Sequence, residues 1–143
     1  MIKMKIFTIF SDEYNQFVNI TPKVSEIVRQ SEIKNGMVFV VSRHTTTGIL
    51  VNEGLECLEE DMNVLLDKLV PEDGNYYHSR FLHSYGAMAG NPTGHLKSLI
   101  SGYNCMFPVK DGEIWKGSAQ EIYFVEFDGP QERNICVITM GEA

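Results

Sequence analysis

Apolar side chains follow two different spacings along this chain. Residues 2–10 read as a strand of mixed apolar character and 16–20 as a second. The cluster Ser11-Asp12-Glu13-Tyr14-Asn15 marks a turn between them. Thr21-Pro22 then has the form of a helix cap followed by a proline at the first helical position. Val24, Ile27 and Val28 give that helix one apolar stripe, and it is predicted to end near Ser31. Met37 to Ser42 is a dense β run. In an extended chain Val38, Val40, Ser42 and His44 share one face, which sets His44 at the end of a core strand. Ile49-Leu50-Val51 is a further short run. From Gly54 to Val70 the spacing turns helical through Leu55, Leu58, Met62, Leu65, Leu66 and Leu69, and Pro71 stops it.

Residues 71–94 break the pattern, being rich in Gly, Pro, Asn, Ser, Tyr and His with little periodicity. A loop of this length within one domain is commonly functional. Asn91-Pro92 repeats the cap-plus-proline form and opens a short helix through Leu99. The last third is β in pattern. Tyr103, Cys105, Phe107 and Val109 alternate, Asp111-Gly112 signals a hairpin into Ile114-Trp115, and residues 121–127 and 134–140 form two more runs around Asp128-Gly129-Pro130. These elements predict one α+β domain over residues 1–143, without repeats or linkers. They also offer more apolar strand surface than two short helices can cover.

Composition narrows the function classes. The chain has 143 residues and a net charge of -7, which opposes non-specific binding to nucleic acid. An anionic ligand meets an unfavourable mean field, so its site requires local positive charge. Cys57, Cys105 and Cys136 are odd in number and form no CxxC, which favours a reduced, cytoplasmic setting with all three buried as structural residues. The start lacks a signal-peptide run, and no segment has the roughly 20 apolar residues of a membrane span.

Three histidines border the irregular loop: His44 at a strand end, His78 inside the loop, and His95 at the start of the short helix. Neutral imidazoles are common metal ligands, and three with an open position suit catalysis. Their separations of 34 and 17 residues match no compact zinc motif, so local hydrogen bonding is the plainer alternative. His83 has the weakest context. His95, with Thr93 and Lys97, also suits a phosphate at a helix N-terminus. Asn52 and Glu53 precede the long helix as ligand-binding residues, or Asn52 caps it. Glu126 and Asp128 share one side of a strand end and suit acid–base work. Arg133, just beyond, suits clamping of phosphate or carboxylate, with little role in stability. Tyr76, Tyr77 and Tyr85 could stack on a ring or cover core.

Taken in order, His44-Thr45-Thr46-Thr47-Gly48, Val51-Asn52-Glu53, Asp61 and Val70-Pro71 resemble the first signature of the YjbQ family. Tyr77-His78, Gly90-Asn91 and His95-Leu96-Lys97-Ser98 resemble its second, and Gly117, Gln120, Glu126-Phe127-Asp128-Gly129-Pro130 and Arg133 its third. The resemblance implies a β-sandwich with flanking helices, assembled as a homotrimer. It implies a secondary thiamine-phosphate synthase-like activity, which joins a pyrimidine pyrophosphate to a thiazole phosphate and releases pyrophosphate. His44, His78 and His95 map onto the family's three histidines, a metal or active site suited to zinc or magnesium, with no organic cofactor. Glu126 and Asp128 join the catalytic set; Thr45, Thr46, Asn52, Glu53, Asn91, Lys97, Gln120 and Arg133 are the implied ligand-binding residues. The implied partner is a small phosphorylated molecule, with no nucleic acid and no membrane. Three features depart from the family pattern: residues 89–94 carry no carboxylate, Ala119 stands where a Trp is common, and the loop carries extra residues around Arg80 to Ser84. A trimer that binds metal or phosphate without turnover, and a metal-assisted hydrolase, are the alternatives.

Overall fold

The structure is a computed structural model and describes residues 1–80 and 91–143. His83 and Tyr85 lie outside the described residues. The elements are β1 (Ile2–Phe10), β2 (Gln16–Asn19), α1 (Thr21–Gln30), β3 (Asn35–Ser42), β4 (Thr47–Glu53) and α2 (Glu56–Leu69). They continue with α3 (Tyr77–Arg80), α4 (Pro92–Ser101), β5 (Asn104–Lys110), β6 (Glu113–Ile114), β7 (Gln120–Glu126) and β8 (Glu132–Glu142).

The strands form two antiparallel sheets. A five-stranded sheet runs β1-β8-β3-β5-β6, and a three-stranded sheet runs β2-β7-β4. Alternation decides what each face does. Val38 and Val40 of β3, Ile135 and Val137 of β8, and Phe107 and Val109 of β5 point inward and are buried. Ile49 of β4 and Ile122 and Phe124 of β7 meet them from the smaller sheet in one cluster. Val24, Ile27 and Val28 of α1 join that cluster, as the apolar stripe predicted, so the helix packs into the core of the sandwich. The other face of the three-stranded sheet carries Tyr123 and Val125, and α2 covers it through Leu66. The architecture is thus the α+β sandwich with flanking helices that the sequence predicted.

Several local expectations are corrected. Thr21 does not cap α1, because the preceding Ile20 takes the cap position; its hydroxyl instead accepts the Ile122 backbone N–H at 2.8 Å, tying the helix start to β7. Asn52 does not cap α2, which starts three residues after β4 ends; its Nδ2 lies 3.7 Å from the Met62 sulfur. Cys57 is exposed rather than buried, because α2 turns only a narrow strip inward and Cys57 lies outside it. Cys105 is half-buried and Cys136 buried; burial pushes the Cys105 thiol up to about 11. All three thiols are free. The apolar spacing of α2 also exceeds what the small sheet can cover, so Leu66 is buried while Leu65 and Leu69 face outward. Among the described residues no helix is long and apolar enough to cross a membrane.

Phe124 is fully buried between the sheets. Phe124→Ala is expected to lower stability by about 3–5 kcal/mol in chemical denaturation, and a loss below about 1 kcal/mol would place the core elsewhere.

Candidate functional site

The site forms where the chain leaves one sheet for the other. Residues 43–46 connect β3 to β4, and hydroxyls pin both ends of this crossing. Ser42 Oγ and Thr47 Oγ1 lie 2.6 Å apart in a hydrogen bond, and the His44 N–H donates to Ser42 Oγ at 3.3 Å. The Phe127 N–H donates to the Thr46 carbonyl at 3.0 Å.

Behind the crossing lies a buried ion pair. Arg133 stands on β8 in the inward row of Ile135 and Val137, so its guanidinium enters the core and requires a partner. Glu126, fully buried at the end of β7, supplies it. Arg133 Nε donates to Glu126 Oε1 at 2.8 Å and Nη2 donates to Oε2 at 2.6 Å, a two-point pairing. Ser11 Oγ donates to Oε1 at 2.7 Å and the Asp128 N–H to Oε2 at 3.0 Å. Arg133 Nη2 also donates to Thr46 Oγ1 at 2.9 Å. Burial by itself raises the Glu126 carboxyl's affinity for protons, but the bonds from Arg133, Ser11 and Asp128 outweigh it and hold the group below its ordinary value. Arg133 is therefore not a solvated anion clamp with little role in stability. Its charge is neutralised and it joins the two sheets.

The next residue of β8 sets His44. The Asn134 N–H donates to His44 Nε2 at 3.0 Å. A ring nitrogen that accepts a hydrogen bond carries no proton, so in the neutral ring the proton sits on Nδ1. Partial burial first, and the positive charges of Arg133 and Arg43 next, lower the His44 pKa below its ordinary value against a smaller opposing pull from Glu126. The ring is held neutral and in one tautomer.

His44 faces a cleft of about 690 Å³ whose walls include Arg43, Thr45, His95, Ser98 and Tyr103. His95 also borders a second hollow of about 320 Å³ with His78, and the two rings lie 5.0 Å apart between centroids. His95 therefore links His44 on one side to His78 on the other. Close docking of α4 places it there. A Cβ on Gly94 would stand 2.9 Å from the Phe127 carbonyl oxygen and 3.3 Å from Thr46 Cγ2, so only glycine allows this approach.

Other predicted residues have partners already. Lys97 is buried, and its Nζ donates to Asp67 Oδ1 of α2 at 2.6 Å. Asn91 Nδ2 donates to Asp128 Oδ2 at 2.9 Å. Thr93 Oγ1 donates to Glu72 Oε1 at 3.0 Å, and the Tyr14 hydroxyl donates to the same carboxylate at 3.1 Å. Burial, with help from Glu72, raises the Tyr14 pKa despite the opposing bond to Thr93, so the phenol keeps its proton. Two carboxylates, Glu72 and Asp128, thus already occupy the N-terminal end of α4, where a phosphate was one sequence-based reading.

Asn52, Glu53 and Gln120 lie at the far end of the three-stranded sheet, where Glu53 pairs with Gln120. Six strand steps from Thr47, at roughly 3.3 Å each, put them about 20 Å from the ion pair. Gln120 Oε1 there accepts the Gly117 N–H at 2.8 Å. The structure brings together His44, Thr45, Thr46, His78, His95, Asn91, Glu126, Asp128 and Arg133, and leaves these three apart. Among the described residues no three His, Cys, Asp or Glu side chains are placed to hold one metal ion. The engaged Nε2 and protonated Nδ1 of His44 agree with that, since neither offers a free lone pair. Sequence reasoning missed Ser11, Glu72 and Asn134. Ser11 stood in the turn cluster, but it meets Glu126 across 115 residues, and no local signal marks it.

Fold and site together define a class of small two-sheet proteins with a histidine-lined cleft at the crossing. The family model of UPF0047 YjbQ-like proteins matches residues 5–142, and the chain belongs to the YjbQ family. A UPF0047 protein of Archaeoglobus fulgidus is 36% identical over 122 residues, covering 85% of this chain and 89% of its own. A UPF0047 protein of Methanocaldococcus jannaschii is 31% identical over 144 residues, covering 99% and 98%. Among solved structures, a YbjQ-like protein of unknown function from Sulfolobus solfataricus P2 superposes with a TM-score of 0.90 at 29% identity, covering 99% of each chain. A hypothetical protein of Aeropyrum pernix K1 reaches 0.88 at 31% identity, covering 98% of this chain and 99% of that one.

Arg133→Ala leaves Glu126 buried without its counter-charge and is expected to cost about 3–5 kcal/mol in chemical denaturation. Because the folded Glu126 pKa lies below its unfolded value, this contribution is complete above about 4.5 and fades as pH falls from there through the folded value. Glu126→Gln should flatten that acid limb; an unchanged acid limb would show that other carboxylates set it. In an NMR titration His44 should turn over below about 6.5 with the proton on Nδ1, and an Nε2-protonated ring at neutral pH would contradict the Asn134 hydrogen bond.

Proposed function

We propose that the cleft between His44 and His95 binds a phosphorylated small molecule and that the chain is an enzyme acting on it. The observation that supports this reading is the state of Arg43. Arg133 is neutralised by Glu126 and Lys97 by Asp67, whereas Arg43 is exposed at the cleft wall and makes no ion pair among the described residues. In a chain of net charge -7, that uncommitted guanidinium beside two imidazoles is the local charge an anion requires. Thr45 and Ser98 add hydroxyl donors on the same walls.

Thiamine-phosphate synthase-like transfer, carried by the family resemblance, is the candidate reaction. The thiazole nitrogen attacks the pyrimidine methylene carbon, the carbon–oxygen bond breaks, and pyrophosphate leaves with the bonding pair. Arg43 would meet the charge that grows on the leaving oxygens. His44, fixed with its proton on Nδ1, serves as a hydrogen-bond donor rather than a base. Glu126 and Asp128 act here through position: Glu126 holds Arg133, and Asp128 holds Asn91. A homotrimer in the cytoplasm is the proposed setting. The second reading, a divalent zinc or magnesium ion held without turnover or used for hydrolysis, is supported by the 5.0 Å separation of His78 and His95. His44 would join those two only by releasing Asn134.

Calorimetry with inorganic phosphate and pyrophosphate tests the first reading. Arg43→Ala is expected to weaken binding by about tenfold or more while changing stability by no more than about 0.5 kcal/mol, as for an exposed side chain. Equal affinities in the two proteins would remove the cleft as an anion site. Formation of thiamine phosphate from the two phosphorylated precursors, assayed with purified protein, tests the reaction itself.

A further inference from the structure

β1 begins with its polar and apolar rows reversed. Strand register puts Lys3, Lys5, Phe7 and Ile9 in one row, opposite Thr139, Val137, Ile135 and Arg133 of β8. That row faces the core, and Phe7 and Ile9 pack against it. Lys3 and Lys5 continue the same row as charges, while Ile2, Met4 and Ile6 of the alternate row are exposed. A strand with one buried face is expected to do the opposite. Such breaks in a local rule are expected at functional or strained sites. Lysines on an edge strand also discourage pairing with another chain. That role asks for charge alone and leaves the space beside them unaccounted for.

The space is a hollow of about 230 Å³ between β1, β8 and the last turns of α1. Its two ends differ. Val137 and Ile27, both of the main core cluster, make one end apolar. Lys3 and Thr139, two residues further along the register, make the other polar. Among the described residues the Thr139 hydroxyl reaches only the Lys3 carbonyl, at 3.5 Å, the outer limit of a hydrogen bond. The residue is 1% exposed, and a hydroxyl buried this deeply normally has a closer partner. No carboxylate among the described residues lines the hollow, and Lys3 and Lys5 make no ion pair with any of them. In a chain with 19 acidic and 12 basic residues, two adjacent ammonium groups without a counter-charge are a local exception.

We propose that this hollow binds a small carboxylate with a short hydrocarbon tail. The head group accepts hydrogen bonds from the Lys3 and Lys5 ammonium groups and from the Thr139 hydroxyl. The tail lies toward Val137 and Ile27. Lysine stems are apolar and flexible, so they fold over the tail while their charged ends stay in water. Inorganic phosphate fits less well, because it leaves the apolar end unfilled and carries more charge into a confined space. The hollow shares no lining residue with the His44–His95 cleft, so the inference goes beyond the phosphate reading and does not depend on it.

The test is an amide NMR titration of the full chain with hexanoate, and with hexan-1-ol, acetate and inorganic phosphate as comparisons. Hexanoate at millimolar concentration should shift the Lys3, Lys5, Ser31 and Thr139 amides saturably. Each comparison compound lacks either the charge or the tail and should bind at least about tenfold more weakly. Lys3→Gln/Lys5→Gln, changed at two exposed side chains, should keep its circular dichroism spectrum and lose hexanoate affinity by a similar factor. Arg43→Ala should bind hexanoate as wild type does. No saturable shift of these amides overturns the proposal and leaves the lysines as guards of an edge strand. Hexan-1-ol or phosphate binding as tightly as hexanoate overturns it too, as does a folded double variant of unchanged affinity. Loss of hexanoate binding in Arg43→Ala would move the ligand to the cleft and overturn this site. Should the double variant not fold, hexanoate against hexan-1-ol on wild type decides alone. Phosphate binding at the cleft is read from Arg43 and its neighbours, so either reading can fail without the other.

Discussion

The site depends on one charged contact that water does not reach. Glu126 ends a strand of the smaller sheet, and Arg133 belongs to a central strand of the larger one. Neither group tolerates burial alone, so each requires the other. The pair does more than cancel charge. Glu126 gathers Ser11 and the turn after β7, and Arg133 gathers Thr46 from the crossing between the sheets. The residue after Arg133 then sets the ring of His44. Electrostatic necessity in the interior thus becomes geometry at the surface, and the cleft inherits its shape from a contact it does not touch.

A hydrophobic pair of similar volume is often no worse for a core in free energy. It would not reach Thr46, Ser11 and the Asp128 backbone at once. A network with several hydrogen-bonding arms defines positions where an apolar contact defines only proximity. That is the physical reason the crossing, with residues from both sheets and from both ends of the chain, is held so fully.

Much of the fold was legible in the sequence because its signals are local. Apolar runs announced β3, β7 and β8, alternation announced β5, and helical spacing announced α2. Thr21-Pro22 and Asn91-Pro92 marked two helix starts even though neither side chain caps its helix. The site was legible only in outline. His78 and His95 do meet, and His44 shares a cleft with His95. The roles of the charged residues were not readable, because a role depends on which face a strand turns inward. Arg133 looked like a surface clamp until register placed it in the row of Ile135 and Val137. Lys97 looked free until Asp67, thirty residues earlier, was seen beside it. Asn52, Glu53 and Gln120 carry the family signature yet stand at the other end of the smaller sheet. Linear order hides the length of a strand.

The order of strands also has a temporal meaning. β8, the last element, lies between β1 and β3 in the larger sheet, and Ile2 pairs with Met140. Pairing the two ends of the chain requires closing a loop of almost its whole length before any contact repays the lost entropy. Until β8 is placed, β1 lacks its neighbour in the sheet and Glu126 lacks its counter-charge. Entry of β8 between β1 and β3 brings Arg133 to Glu126 and Asn134 to His44, so the cleft takes its described form only once that strand is in place.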